Sequence, residues 1–309
     1  MTLIQPPLLT HGGTHEARAF RMMIRDLARG SQGITEADDL KVLPLATPGP
    51  GVRVADGSAI VRGAAWGQGS YTQYNVGHAT VPIVPTGAVE RSDLLVLRIE
   101  DPEYEGTLDP ATDDIGTFHV VPNVSHNART VPAGMTAIPL ARINIPANTA
   151  VITAAMITDL RRVANPRRER TLHTAFPSSA DRLPRKHDVF QNWPTQARWK
   201  VPVPSWATRM KVITTITGFR LSDGDVYGKM QNAVASLRGQ DTAFDDDQGG
   251  AIRRTTMVLA DNFAVASSLR GTTQDFYVQT KLASNEPGNV TVDGASSLVC
   301  DIEFTEGPV

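Results

Sequence analysis

Three of the four tryptophans, the side chains with the largest aromatic surface, lie close together in the second half of the chain. Trp193, Trp199 and Trp206 fall within 14 positions, with Phe190 just upstream. Exposed indole rings stack on the faces of sugars, so the cluster is a candidate glycan-binding site. The alternative is that these rings fill a hydrophobic core, which is the commoner use of a side chain with so much apolar area. Both interpretations stay open on the sequence alone.

A second concentration of one residue type lies in the middle of the chain, where Arg161, Arg162, Arg167, Arg168 and Arg170 fall within ten positions. A nucleic-acid interface would interleave aromatic residues with the basic ones and carry a wider basic surface. No aromatic residue interrupts this stretch. We therefore predict that these guanidinium groups pair with carboxylates of a neighbouring subunit, as planar arginine forks do at interfaces.

Metal-binding and catalytic motifs are weak or missing. His11 and His15 have a ligand-like spacing, but Gly12 and Gly13 between them make a rigid presentation doubtful. The acidic turns at 223–225 and 241–247 could offer oxygens to Ca²⁺, yet neither has the spacing of an EF-hand loop, so solvated turns are the default. No nucleophile elbow, Walker loop, dinucleotide fingerprint or His-Glu-x-x-His motif occurs. The sequence predicts no catalytic residue, no metal and no cofactor.

Composition narrows the class of protein. The 309 residues suffice for two domains of ordinary size, and 41% hydrophobic residues can supply a core. A net charge of −2 gives no support for a nucleic-acid or membrane-surface partner. The single cysteine, Cys300, excludes a disulfide framework. Neither a secretory signal nor an apolar run of ~18 residues is visible, so we expect a chain made in a cytoplasm and not inserted into a membrane.

One amphipathic helix is predicted, over residues 14–29, with Thr14 as its N-cap and Gly30 at its C-terminal end. Its apolar residues recur at three- and four-residue steps and form one face: Ala17, Phe20, Ile24, Leu27 and Ala28. Arginines occupy the other faces. We expect the apolar face to lie against a sheet or a partner.

After residue 33 short apolar runs broken by Pro and Gly predict β structure. The predicted strands of this half are 41–45, 51–54, 58–62, 71–76, 79–84, 93–100, 117–121 and 136–145, with a helical turn at 153–160. Asp56-Gly57 predicts a type I′ hairpin. Residues 94–97, apolar on both faces, are predicted to lie centrally in a sheet. Pro139 and Pro146 predict edge positions or strand ends, because proline donates no ladder hydrogen bond.

Residues 166–188 carry charge, Pro and Ser without an apolar period, which predicts a linker or extended arm. The strands predicted beyond them are 197–203, 209–219, 226–237, 255–260, 274–283, 290–292 and 298–304. About seven strands in roughly 120 residues are typical of a β-sandwich or jelly roll.

The predicted fold class is therefore mainly β. An N-terminal amphipathic helix and a β-rich domain occupy residues 1–165, a linker occupies 166–188, and a jelly-roll-like β-sandwich occupies 189–309. We expect the two domains to have separate functions.

A series of elements follows the helix in the order 39–42, 52–63, 91–104, 137–147 and 152–162, including the motifs Val52-Arg53-Val54-Ala55-Asp56-Gly57 and Ser92-Asp93-Leu94-Leu95-Val96-Leu97. This order, over residues 14–163, resembles the N-terminal domain of tail-tip, baseplate and minor tail proteins of long-tailed bacteriophages, especially those of actinobacteria. The resemblance implies a virion protein in which residues 1–165 anchor to other tail proteins. It also implies homotrimers around the tail axis and a distal domain that faces polysaccharide on the host surface.

Three alternatives remain. A tail-associated glycan depolymerase or esterase would need acids brought together by folding, such as Asp223, Asp225 and Asp245, but no solenoid period is present. A phage-derived contractile injection system would use the same kind of component. A secreted carbohydrate-binding module is disfavoured by the missing signal peptide. The leading expectation is a structural, non-enzymatic protein.

Overall fold

The structure is a computed structural model that describes residue 11, residues 16–185 and residues 188–309. The chain divides into two compact units. Unit 1 comprises Met1–Pro166 together with Gly307–Val309, and unit 2 comprises Arg167–Glu306. The chain therefore leaves unit 1 once, completes unit 2, and returns to unit 1 for its last three residues.

Unit 1 has one α-helix in its described part, α1 (Ala17–Leu27), and is otherwise built of short strands and 3-10 turns. Its strands are β1 (Gly33–Ile34), β2 (Val42–Pro44), β3 (Gly51–Val54), β4 (Gly57–Arg62), β5 (Ser70–Asn75), β6 (Ala79–Pro82), β7 (Arg91–Ile99), β8 (Gly116–Val121), β9 (Ala137–Ile145) and β10 (Ile157–Asp159). The 3-10 turns are Trp66–Gln68 and Ala154–Met156. Three sheets result, with strand orders β10-β9-β7-β8, β1-β4-β5 and β2-β3-β6.

The largest sheet of unit 1 confirms one prediction and corrects another. Strand β7 lies between β9 and β8, and residues 94–97 are at most 2% exposed, so the central position predicted for this apolar run is confirmed. The strand that holds Pro139 was predicted to lie at an edge or to end there, but β9 lies between β10 and β7. The proline is tolerated because β10 pairs only with residues 141–143 of β9, and because Pro139 stands opposite Val96 beside a register shift. Pro146 follows the end of β9, as predicted.

The predicted hairpin at Asp56-Gly57 is wrong. Strand β3 pairs with β2 and β6, whereas β4 pairs with β1 and β5, so the two strands that flank the turn belong to different sheets. Gly57 is still required there: its φ is +139°, and a Cβ would lie 2.6 Å from the Cα of Asp39. The turn signal was real, but the close approach of Asp39 makes it a crossover between sheets.

The orientation of α1 also differs from the prediction. Its arginine side, rather than its apolar face, lies against the body of unit 1: Arg21 forms ion pairs with Asp101 at 3.3 Å and with Glu103, and its guanidinium group also bonds to the carbonyl of Gln68. On the predicted apolar face Leu27 is 73% exposed and Ala28 is 2% exposed. That the exposed part of this face lies against a partner stays a prediction. The aliphatic part of Arg21 packs against unit 1 while its guanidinium group is paired with carboxylates. Residue 14 lies outside the described residues.

Unit 2 contains only strands and one 3-10 turn (Ser267–Leu269) in its described part. The strands are β11 (Arg168–Ala175), β12 (Asp181–Arg182), β13 (Gln191–Asn192), β14 (Arg198–Pro202), β15 (Arg209–Ser222), β16 (Val226–Val234), β17 (Leu237–Arg238), β18 (Thr242–Asp246), β19 (Arg253–Ala264), β20 (Thr273–Leu282), β21 (Asn289–Val292) and β22 (Ser297–Thr305). They form two sheets around one hydrophobic core.

Several of these strands lie end to end. Strands β22 and β21 pair with successive parts of β15 and share one position in the sheet, and β11 and β12, which pair with β22 and β21, share the next. The first sheet, which we call the arginine sheet, therefore has the order β11/β12, β22/β21, β15, β19. The second, the tyrosine sheet, has the order β13/β14, β20, β16, β17/β18.

The connections between these positions are those of a jelly roll. The chain crosses from one sheet to the other after every position except β16, which continues into β17 in the same sheet. Two sheets of four positions joined by crossing connections are the jelly-roll arrangement. The predicted fold class, mainly β with a jelly-roll-like sandwich in the second half, is confirmed.

The linker or extended arm predicted at 166–188 contains two strands, so the linker prediction is wrong for residues 168–175 and 181–182. Residues 168–175 form β11, which pairs with β22 from Arg168 opposite Thr305 to Ala175 opposite Leu298. β11 is an edge strand, exposed along most of its length, so it needs few apolar residues and its sequence carries no apolar period. Backbone hydrogen bonds and ion pairs to β22 hold it instead.

The core of the sandwich follows the alternation of side chains along its strands. Leu298, Cys300, Ile302 and Phe304 of β22 are each at most 1% exposed, while the residues between them are half-buried. Burial raises the pKa of the Cys300 thiol to about 11, so it stays a protonated thiol in the core.

Candidate functional site

The tryptophans predicted as glycan contacts are mainly core residues. Trp193 is fully buried, its indole nitrogen donates to Asp181 at 3.1 Å, and its ring lies 6.0 Å from that of Phe219. Trp199 is 9% exposed. Neither ring face can reach a sugar, so for these two residues the glycan-contact prediction is wrong and the packing alternative is correct. Burial removes their large apolar area from water, which stabilises the sandwich.

Trp206 is different from the other two tryptophans of the cluster. It is half-buried, packs against the edge of the core, and has the Arg167 guanidinium 5.6 Å from its ring centre. The same guanidinium binds Glu306 at 2.6 Å. One face of Trp206 is thus occupied by a cation within unit 2, and a glycan role for this residue stays a prediction.

The arginine cluster pairs within its own chain. Arg161 has no exposed side-chain surface: it forms an ion pair with Asp159 at 2.8 Å and donates to the carbonyls of Asp39 at 2.6 Å and Val309 at 2.8 Å. A fully buried guanidinium needs this many acceptors to offset its lost hydration. Arg161 therefore fastens residues within unit 1 and is not available to another subunit.

Two arginines of β11 pair with carboxylates of the neighbouring strand β22. Arg168 binds Glu303 at 2.6 Å, and the Nε of Arg170 donates to Asp301 at 2.8 Å. The hydrogen bond from Arg170 lowers the pKa of Asp301 below its usual value. Together with Arg167, these residues correct the prediction that the cluster pairs with a neighbouring subunit. Arg162 is exposed, and for this residue the prediction stands untested.

The acidic turns are engaged by protein groups. Asp246 binds Arg253 at 2.5 Å, Asp241 binds Lys229 at 3.4 Å, and Asp225 accepts the backbone NH of Gly249 at 2.8 Å. Within the described residues, no group of three or more His, Cys, Asp or Glu side chains is placed to hold a metal ion. His15 lies outside these residues. In the described part of the chain no helix has the length and apolar character needed to cross a bilayer.

A polar groove of unit 2 lies on the outer face of the tyrosine sheet. It has a volume of about 420 Å³ and is open to solvent. Its lining comes from strands β13, β14 and β20 and from the β16–β17 turn: Asn192, Arg198, Lys200, Ala235, Thr273, Gln274, Asp275 and Tyr277. We call it the Tyr277 groove.

Strand alternation places these side chains together. On β20, Phe276 and Val278 point into the core, so Asp275 and Tyr277 point outward. On β14, Trp199 and Val201 are buried and the residues between them face out. The register then sets Arg198 opposite Tyr277 and Lys200 opposite Asp275. The groove is therefore a direct product of the β14–β20 pairing.

Cations surround the tyrosine ring. The guanidinium carbons of Arg198 and Arg238 lie 5.6 and 5.8 Å from its centre. Arg198 also binds Asp275 at 2.6 Å, and this hydrogen bond lowers the pKa of the Asp275 carboxyl below its usual value. Arg238 is fixed by donating to the carbonyls of Ala235 and Leu237, at 2.9 and 2.7 Å. The groove is thus rimmed by positioned cations.

A row of amides continues the same face. Gln231 of β16 donates to Gln279 of β20 at 3.0 Å, and Gln279 donates to Asn192 of β13 at 3.0 Å. This ladder crosses three strands and ends at the groove, because Asn192 is one of its lining residues. Amide groups offer both donors and acceptors, the chemistry that hydroxyl-rich ligands require.

The outer face of the arginine sheet lacks such a row of amides over its described residues. The carboxylates of β22 are paired with arginines of β11, and the outward positions of β15 and β19 include Arg209, Lys211, Thr256, Val258 and Ala260. Leu172 and Val258 are 65% and 52% exposed on this face. The two outer surfaces of one sandwich are therefore chemically distinct.

Sequence reasoning missed the Tyr277 groove, although part of its signal was present. The alternation over 274–283 already separates Tyr277, Gln279 and Lys281 from the core residues. It could not show that Arg198 and Arg238 meet Tyr277, because that depends on which strands are neighbours and in what register.

No protein-family model matches this sequence, and no curated protein matches it either. Among solved structures, the VP2 subviral particle of infectious bursal disease virus aligns with 93% of this chain and 86% of that one, at 10% identity and a TM-score of 0.27. For the Gx strain of the same virus the coverage is 90% and 78%, at 10% identity and a TM-score of 0.25.

An insecticidal delta-endotoxin, Cry8Ea1 from Bacillus thuringiensis, aligns over 89% of this chain and 51% of that one, at 8% identity and a TM-score of 0.20. TM-scores this low do not establish a shared topology, so no functional argument rests on these likenesses.

Proposed function

We propose that this chain is a structural component of a bacteriophage particle, located at the tail tip or baseplate, and that unit 2 contacts polysaccharide on the host surface. Unit 1 is the part whose ordered elements resemble tail proteins, and it has a hydrophobic core of its own. Jelly rolls are frequent in viral and lectin domains, which suits unit 2 to a role in attachment.

The observation that carries the proposal is the open, polar Tyr277 groove on the outer face of the jelly roll. Pockets that hold ligands combine a concave shape with a few convergent polar groups. The groove offers an aromatic ring, two amides, a carboxylate and two cations within one concavity, and a third cation, Arg238, lies against the aromatic ring. It belongs to unit 2 alone, so unit 1 remains free to dock to other tail proteins, with homotrimers as the expected arrangement.

An antibody raised against this chain tests the location. Purified particles of the phage that encodes it are labelled and viewed by electron microscopy, with pre-immune serum as the control. Label at the distal end of the tail is expected. Label on the head, or none on intact particles that contain the chain by immunoblot, would contradict the proposal.

A further inference from the structure

We infer that the Tyr277 groove binds an anionic polysaccharide, one that carries carboxylate or phosphate groups, in preference to a neutral one. The inference rests on the proposed function for the biological source of the ligand, the host surface. The preference for an anionic ligand is inferred from the residues of the groove alone.

The charged side chains around the Tyr277 groove are mostly cations. Arg198 and Lys200 line the groove, Arg238 lies against its Tyr277 ring, and its one lining carboxylate, Asp275, is already engaged by Arg198 at 2.6 Å. Lys200 is exposed and lies opposite Asp275 in the strand pair. An anion entering the groove therefore meets more positive than negative charge, and partial enclosure strengthens that attraction relative to bulk water.

The ring of Tyr277 already has guanidinium groups beside it. A neutral sugar is held mainly by stacking on an aromatic face and by hydroxyl hydrogen bonds. Here two guanidinium groups lie within 5.8 Å of the centre of Tyr277, where they compete with a sugar for the ring. The ring instead orients the guanidinium forks, which match carboxylate and phosphate oxygens.

Uncharged polar side chains lie beside the cations of the groove. Gln274, Thr273 and Asn192 line the same groove, and the amide ladder continues from Asn192 across β20 to β16. Neighbouring strands are about 4.8 Å apart, so the amide ladder spans about 10 Å from Asn192 on β13 to Gln231 on β16. A charged sugar can be held at the groove while the next unit of the polymer meets the amides.

The test measures binding of the full-length protein to three immobilised polymers: polygalacturonate for carboxylates, poly(glycerol phosphate) for phosphates, and neutral dextran. The groove variant is Lys200→Gln with Arg238→Gln. Its matched control, Arg209→Gln with Lys211→Gln, removes the same charge from the outer face of the arginine sheet. We expect the groove variant to bind an acidic polymer about tenfold more weakly and the control less than about twofold.

A second variant keeps the test decisive if the double substitution impairs folding. Asp275→Asn removes the competing carboxylate and releases Arg198, so binding to the acidic polymer should tighten about threefold. Preference for either the carboxylate or the phosphate polymer supports the inference and names the anion. Equal weakening by the groove and control variants, or binding to dextran as tight as to both acidic polymers, would overturn it.

The two proposals can fail separately. Groove-dependent binding together with label away from the tail tip would refute the tail-tip location and leave the anion site standing. Label at the tail tip without groove-dependent binding would do the reverse.

Discussion

The inner face of the tyrosine sheet packs the core of unit 2 and its outer face forms the Tyr277 groove, so adjacent residues of one strand have different roles. Phe276 is 1% exposed and its ring lies edge-on to Phe304, 6.3 Å away, whereas the next residue, Tyr277, stands outside among guanidinium groups. The same holds for buried Trp199 beside exposed Arg198. An aromatic residue on this sheet contributes to stability or to recognition according to its parity along the strand, and its residue type alone does not decide between them.

The largest expected effect comes from the inner face. Phe276→Ala should lower the free energy of unfolding by about 3–5 kcal/mol, because it removes a fully buried ring and leaves a cavity against Phe304. Denaturant unfolding of the full chain, followed by tryptophan fluorescence, measures the change. Polymer binding by the molecules that remain folded should match that of the wild type. A loss below about 1 kcal/mol would show that the face assignment is wrong.

A smaller effect is expected from filling space on the inner face. Gly228 lies opposite Phe244, and a Cβ added there would be 2.2 Å from the ring and 2.6 Å from the carbonyl oxygen of Lys281. Gly228→Ala should therefore cost about 1–3 kcal/mol of unfolding free energy through overpacking. Gly250→Ala, where a Cβ meets nothing within 4 Å, is the control. Equal midpoints for both variants in urea would contradict the packing described for Phe244.

On the outer face, Tyr277→Ala should separate recognition from stability. The change leaves Arg198 and Arg238 without the ring that orients them, so binding to an acidic polymer should weaken about fivefold. The unfolding free energy should fall by less than in Phe276→Ala, since the side chain is only half-buried. If Tyr277→Ala instead destabilised the chain as much as Phe276→Ala and left binding intact, the division between the faces would be lost.

The smallest effect is expected from the other outer surface. Arg170→Ala removes the ion pair with Asp301 on the arginine sheet, and exposed pairs of this kind contribute little to the free energy of unfolding. Binding to acidic polymers should be unchanged within error. A marked loss of binding would mean that the arginine sheet also carries ligand, and it would remove the contrast between the two surfaces.

Alternation along single strands made much of the fold predictable. The inward residues of β20 and β22 and the central place of residues 94–97 follow from local pattern alone. The two-sheet architecture follows from the number and spacing of such strands. These features depend on side chains a few residues apart, which a sequence displays directly.

The errors share a physical cause, since each depended on a partner distant in sequence. The sequence of β11 predicts a linker because an exposed edge strand has no need of an apolar period. The Asp56-Gly57 turn leads into another sheet because Asp39 approaches it closely. Trp193 is buried because Asp181 accepts its indole hydrogen and Phe219 packs on its ring. None of these partners is adjacent in the chain.

The central claim is that unit 2 presents the outer face of its tyrosine sheet to the bacterial surface from a phage tail. A cryo-electron microscopy map of the assembled particle tests it most directly, because it shows both the position of the chain and the direction of that face. We predict density for the jelly roll at the distal end of the tail, with Tyr277 on the side that points away from the particle. A map that places this chain in the head, or turns Tyr277 inward against another tail protein, would contradict the claim.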